Sequence, residues 1–178
     1  MKKAASIFLR ADIKPQDIEL LIRWMGNPHI TQYLNEEPGV IRSLQQLLLT
    51  VPAPMLTFHF NRWGRFFLAC RSDGDTIGFV KLRELPERGA YEIVYAIGEE
   101  TLWGHGYGES AICSALAMVF GEWRGRKVIA KIYPENQRSI RSVCACGFRR
   151  SSADGSMLQY GITVDEYLQY LRNKAVSR

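Results

Sequence analysis

Apolar positions recur along this chain in two rhythms, and the switches between them set out an element order. Residues 5–10 read as a strand, and Pro15 then sits where a first helical turn tolerates it. Ile18, Leu21, Ile22 and Met25 keep helical spacing until Gly26-Asn27-Pro28 stops them. Pro38-Gly39 marks a turn. Ser43 and Gln46 form a capping-box pattern for a short helix holding Leu44, Leu47 and Leu48, which Pro52 and Pro54 end. Phe66–Arg71 and Thr76–Leu82 are β-rich and joined by Ser72-Asp73-Gly74-Asp75, a hairpin pattern, and Ala90–Ile97 is a third such run.

The second half alternates. Ile112, Ala115, Leu116, Val119 and Phe120 mark one apolar helix face, followed by a short buried strand over Val128–Ile132. Ile140, Val143 and Cys144 share a helix face, with Gly147 as the C-terminal stop. Phe148–Arg150 and Met157–Gly161 flank Ala153-Asp154-Gly155 as a last hairpin. Thr163 and Glu166 then open a helix with Val164, Tyr167, Leu168 and Leu171 on its face. The order β-α-α-β-β-β-α-β-α-β-β-α predicts an α/β fold, a mixed sheet with helices on both faces. No repeat, low-complexity tract or linker interrupts it, so residues 1–178 are expected to form a single domain.

Composition narrows the setting. The chain is 47% hydrophobic and 23% charged, ordinary values for a globular protein. No apolar run approaches the ~20 residues of a membrane span. The apolar stretch in MKKAASIFLRAD is too short for a signal-peptide core, so the expected location is cytoplasmic. Cys70, Cys113, Cys144 and Cys146 include no C-x-x-C pair and no histidine at metal-ligand spacing, so no metal is expected. Buried free thiols are the expectation, since a C-x-C on a helix points its two sulfurs to different faces. The net charge is +5, with basic clusters at Arg124–Lys127 and at Arg138, Arg141, Arg149 and Arg150. A nucleic-acid partner, a phosphate-rich small ligand and a solvated basic face all fit such charges. Their place beside a glycine loop favours the small ligand.

That loop is the richest segment: Thr101-Leu102-Trp103-Gly104-His105-Gly106-Tyr107-Gly108-Glu109-Ser110, between a strand and an amphipathic helix. Three glycines in five residues let backbone N–H groups approach a ligand, and the following helix offers its free N–H groups and positive dipole end to an anion. A dinucleotide G-x-G-x-x-G from Gly104 would need glycine where Glu109 stands, and the Gly-Lys-[Ser/Thr] of a Walker loop is absent. A diphosphate is the expected ligand.

Residues 103 to 108, Trp-Gly-His-Gly-Tyr-Gly, resemble the R/Q-x-x-G-x-G/A acetyl-CoA signature of the GNAT superfamily of N-acetyltransferases. Thirty residues on, Tyr133-Pro134-Glu135-Asn136-Gln137-Arg138-Ser139-Ile140-Arg141 with Cys146-Gly147-Phe148 resembles its P-x-N-x-x-S-I…G-F segment. The match is closest to the Rim-type ribosomal-protein N-terminal acetyltransferases. Tyr91–Gly98 is similar to that branch's E-I-G-Y-x-[IV] strand; residues 1–60 match only loosely. The resemblance implies a GNAT-like fold, a mixed and mostly antiparallel sheet of about six to seven strands. It also implies direct transfer of an acetyl group from acetyl-CoA to a primary amine, without an acyl-enzyme. Trp103 departs from the Arg or Gln usual at the first signature position, which removes a side-chain contact to the diphosphate and leaves the backbone donors.

On this resemblance the cofactor-binding residues are Tyr95, Ala96, Ile97, Trp103, Gly104, His105, Gly106, Tyr107, Gly108, Glu109, Asn136, Ser139 and Arg141. Asn136 would hold the pantetheine arm, and a backbone N–H from Val94–Ile97 would meet the oxyanion. Glu92 is the candidate base, against an ordinary strand glutamate facing solvent or an arginine. The tyrosine that many members use to protonate the thiolate falls on Val143. Ser139 is then the candidate donor to the sulfur, against a helix serine bound to its own backbone. His105, inside the loop, is expected to face solvent.

The acceptor is expected between residues 24–40 and the last hairpin, near Trp24, Tyr33, Phe58, His59, Phe60, Trp63, Glu36 and Glu37. The positive net charge disfavours polycationic acceptors, so a protein or peptide N-terminus or a small amine fits better. No membrane or nucleic-acid partner is expected, and a homodimer is open. Two other readings stay open: an acyl-CoA sensor without turnover, and acetylation of an antibiotic amine.

Overall fold

The structure, a computed structural model, describes residues 6–34 and 38–176. Among these residues seven strands form one sheet in the order β1-β2-β3-β4-β5-β7-β6. They are β1 (Ile7–Arg10), β2 (Arg65–Arg71), β3 (Thr76–Glu84), β4 (Ala90–Ile97), β5 (Lys127–Ile132), β6 (Arg149–Asp154) and β7 (Met157–Thr163). Every neighbouring pair is antiparallel except β4 and β5. The mixed, mostly antiparallel sheet is as expected.

Strand β2 explains why the sheet is covered twice. Phe66 to Cys70 are all buried, and alternate side chains join different cores. Phe67 and Ala69 pack with Ile112, Leu116, Val119 and Val143. Phe66, Leu68 and Cys70 pack with Ile18, Leu21, Trp24 and Leu47. The first core belongs to α5 (Tyr107–Ala117), α6 (Gln137–Ala145) and α7 (Val164–Val176), the second to α1 (Pro15–Met25) and α3 (Val40–Thr50). Asp17 is 2% exposed; its carboxylate takes both terminal nitrogens of Arg10, at 2.8 and 3.1 Å, and the Lys14 N–H, at 2.8 Å, tying β1 to α1. The guanidinium of Arg10 is pushed above its usual range by that hydrogen-bonded carboxylate.

Several local expectations are corrected. The region before β2 holds two further short helices, α2 (Pro28–Thr31) and α4 (Leu56–Phe60). Ser43 opens nothing: α3 starts at Val40 because Gly39, at φ 89°, turns the chain, and its carbonyl takes the Ser43 N–H at 3.0 Å. Cys144 is exposed rather than on the buried face of α6, and Leu168 and Leu171 are exposed on α7, which buries Tyr167 instead. The Thr163–Glu166 capping box is present, with Glu166 Oε2 2.8 Å from the Thr163 N–H and Thr163 Oγ1 3.4 Å from the Glu166 N–H.

Candidate active site

Strands β4 and β5 pair only at Ala90, Tyr91 and Glu92, opposite Lys127, Val128 and Ile129. Beyond that apex β4 runs on to Ile97 and β5 to Ile132, and a cavity of about 310 Å³ opens between them. Strand alternation fixes what the gap receives. Ala90 accepts a hydrogen bond from the Leu85 N–H and Gly98 donates one to the Ile77 carbonyl, so even-numbered residues of β4 turn their backbone toward β3. Gly89 accepts from the Lys127 N–H, so odd-numbered residues face β5. Past the apex, Ile93, Tyr95 and Ile97 therefore present backbone groups to the cleft. The Ile97 carbonyl is taken by the Trp103 indole N–H at 2.7 Å.

The glycine loop closes one end. Gly104 and Gly106 lie at φ 75° and 85°, the left-handed region that costs a residue with a Cβ roughly 1–2 kcal/mol. Gly106 is the N-cap of α5 and supplies no side-chain acceptor, so the first-turn N–H groups of that 11-residue helix remain available to an anion. A Cβ on Gly108 would touch Tyr95 and the Ser142 hydroxyl at 3.5 and 3.6 Å, which places that turn directly against the opposite wall.

Helix α6 forms that wall. The Asn136 side chain caps it by accepting the Ser139 N–H at 3.2 Å. Tyr95 reaches across from β4, and its hydroxyl donates to the Ser139 carbonyl at 3.4 Å. Burial pushes the Tyr95 phenol up to about 12, partly offset by hydrogen bonding with Ser139 and Ser142, so it stays protonated at neutral pH.

Arg138 stacks on Trp103 with its guanidinium 3.5 Å from the ring centroid. Burial draws its basicity below the usual range, and among the described residues it forms no salt bridge. A partly buried cation beside the glycine turn has the charge to pair with a negative ligand.

Most of the expected residues converge on this cleft. Tyr95, Ala96, Ile97, Trp103, Gly104, Gly106, Tyr107, Gly108, Glu109, Asn136, Ser139 and Arg141 all line it. His105 does not; it is exposed, with Nδ1 2.9 Å from the Trp103 carbonyl. Glu92 stands at the apex, outside the lining, with its carboxylate bound by Arg83 directly opposite on β3. Of the acceptor aromatics Tyr33 lines the cleft, whereas Trp24 is core and Phe58 and Trp63 are exposed elsewhere; Glu36 and Glu37 lie outside the described residues. Of the basic clusters only Arg138 and Arg141 reach the cleft. Ser142 and Ile30 carry no role legible in the sequence, and Arg138 stands there only as one of a basic cluster.

The acetyltransferase (GNAT) domain model matches residues 7–149, and the chain belongs to that family. It is an acetyltransferase, with acetyl-CoA as donor. An uncharacterized N-acetyltransferase of Bacillus licheniformis, p20, is 23% identical over 158 residues, which cover 86% of this chain and 85% of p20. Among solved structures, aminoglycoside acetyltransferase AAC(6')-Ib in complex with coenzyme A gives a TM-score of 0.74 at 18% identity, covering 92% of this chain and 98% of that one. The spermidine N-acetyltransferase of Vibrio cholerae, in complex with CoA and spermine, gives 0.74 at 20% identity with the same coverage. These structural likenesses carry the fold.

Proposed function

We propose that this acetyltransferase acts on acceptors that present one primary amine, with a peptide N-terminus as the acceptor class. The observation that carries the reading is the charge distribution of the cleft. Its lining holds Lys131, Arg138 and Arg141 but, among the described residues, a single carboxylate, Glu109, which belongs to the phosphate turn. The other end is lined by Ile30, Tyr33 and Leu34. A polycationic acceptor needs several carboxylates there, whereas one amine on an apolar chain does not.

In this reading the diphosphate of acetyl-CoA sits on the amides of residues 104 to 109 with Arg138 as its cation. Arg138 takes the place of the arginine or glutamine absent at position 103, held for that purpose by the Trp103 face. The pantetheine amides pair with the backbone of β4 where β5 has parted from it, Asn136 supporting the arm. The N–H of Tyr95 or Ile97 meets the oxyanion of the tetrahedral intermediate. The Tyr95 hydroxyl, turning its proton from the Ser139 carbonyl, and the Ser139 hydroxyl donate hydrogen bonds to the departing sulfur, standing in for the tyrosine that Val143 replaces. Glu92, engaged by Arg83, takes the amine proton through water. An α-amine with a pKa of about 7.7–8.0 asks little of such a base.

Two measurements follow. Arg138→Ala should raise the KM for acetyl-CoA by about ten- to a hundredfold, the worth of a charge-assisted hydrogen bond, with kcat nearly unchanged. Arg138→Lys should recover part of the loss. A thiol-release screen should show turnover with peptides carrying a free N-terminus and little with polyamines or aminoglycosides. The kcat/KM for the peptide should rise with pH as the α-amine loses its proton, with its midpoint near pH ~8 and a plateau from about pH 9. A rise continuing toward pH ~10 would instead mark a lysine-like or polyamine acceptor.

A further inference from the structure

Away from the cleft, Cys113 on α5 and Cys146 at the C-cap of α6 bring their sulfurs within 3.5 Å, although 33 positions apart in the sequence. A disulfide needs a separation of about 2.05 Å, so closing the bond takes a shift of about 1.5 Å shared between two helix-borne side chains. The groups around the pair differ in kind. Tyr170 on α7 places its hydroxyl 3.8 Å from the Cys113 sulfur, and the Lys174 ammonium donates to that hydroxyl at 2.9 Å. The phenol proton is thereby directed at Cys113. Cys146 is 1% exposed, and its single proton has two acceptors at 3.5 Å, the Cys113 sulfur and the Glu109 carbonyl. These donors hold the Cys113 thiol below its ordinary range, the Cys146 hydrogen bond first and Tyr170 next, while the same pairing and burial push Cys146 up. Lys174 adds to the depression, and the Glu109 carboxylate on the same helix opposes it. Cys113 is partly exposed and Cys146 buried behind it, an outer nucleophile backed by an inner thiol.

We propose that Cys113 and Cys146 form a peroxide-reactive dithiol, with Cys113 attacking and Cys146 resolving. The Cys113 thiolate attacks one peroxide oxygen; the S–O bond forms, the O–O bond breaks and hydroxide leaves to become water with the proton Cys113 gave up. The Cys146 sulfur then attacks the sulfenic sulfur; the S–S bond forms, the S–O bond breaks, and the hydroxyl departs as water with the Cys146 proton. Two thiols are oxidised and one hydrogen peroxide is reduced to two waters. The bridge joins α5 to α6, the two helices that bracket the phosphate end of the cleft.

The test is peptide mapping without reductant after the full chain is titrated with hydrogen peroxide. The expected product is an intramolecular Cys113–Cys146 bridge, with Cys70 and the exposed Cys144 still open to alkylation. Cys146→Ser should leave Cys113 trapped as a sulfenic acid that dimedone captures, and Cys113→Ser should abolish bridging. Tyr170→Phe should slow alkylation of Cys113 several-fold at neutral pH and not at alkaline pH, where the thiolate needs no donor. Four alkylatable thiols surviving excess peroxide, or Cys144 oxidising before Cys113, would overturn the proposal, and both readouts on the wild-type chain are independent of how the variants fold.

Discussion

Tyr95→Phe is expected to lower kcat by about a hundredfold while leaving the KM for acetyl-CoA within a few-fold, the loss typical of one preorganised donor to charge that develops in the transition state. The substitution keeps the ring that packs against the α5–α6 core and removes only the hydroxyl at the Ser139 carbonyl. Because the Tyr95 phenol is pushed up to about 12, its donor state persists across the whole neutral range. Its deprotonation therefore adds no acid or alkaline limb to the rate profile below pH ~11. Ser139→Ala should cost less, since the phenol remains. A Tyr95→Phe enzyme with unchanged kcat in single-turnover assays would remove Tyr95 from the chemistry and leave the serine as the sole side-chain donor.

Gly98→Ala should destabilise the fold by about 3 kcal/mol, lowering the melting temperature by roughly 6–12 °C for a chain of this size. The cause is steric. A Cβ at position 98 would lie 2.1–2.4 Å from the indole atoms of Trp24, a ring that is 1% exposed and whose N–H is fixed on Glu99 at 3.1 Å. Neither side can yield, because the Gly98 N–H is also bonded to the Ile77 carbonyl at 2.8 Å. Gly104→Ala is the contrast: a Cβ there meets nothing within 4 Å, so only the positive φ opposes it and stability should fall by about 1 kcal/mol. Cofactor affinity should fall more than stability at Gly104 and stability more than affinity at Gly98; calorimetry on both variants reads the difference. The Gly98 region is also where α1 grips the approach to the glycine turn, through Arg23 on Glu99 at 2.8 Å.

What the sequence made legible was local. The glycine turn, the Asn136 cap and the Ser139 position each follow from residue type at fixed spacing, and all of them meet at the cleft. Helices α2 and α4 were missed because four and five residues are too few to carry a period. Ser43 misled because Gly39 had already turned the chain one helical turn earlier. The remaining gaps are contacts between distant segments. Arg138 appeared only as one of several basic residues until it was found on the Trp103 ring. Glu92 pairs with Arg83 through cross-strand register, which no motif encodes. Cys146 was paired in sequence with Cys144, whereas in space its neighbour is Cys113. The aromatic cluster around Phe58 and Trp63 looked like an acceptor pocket and is surface.

A crystal structure with bound coenzyme A tests the central claim most directly. The diphosphate is expected at hydrogen-bonding distance, about 3 Å, from the amides of residues 104 to 109, with the Arg138 guanidinium against it and the pantetheine chain lying along Ile93 to Ile97. Density for the coenzyme outside the β4–β5 gap, or a diphosphate that leaves those amides and Arg138 untouched, would contradict it.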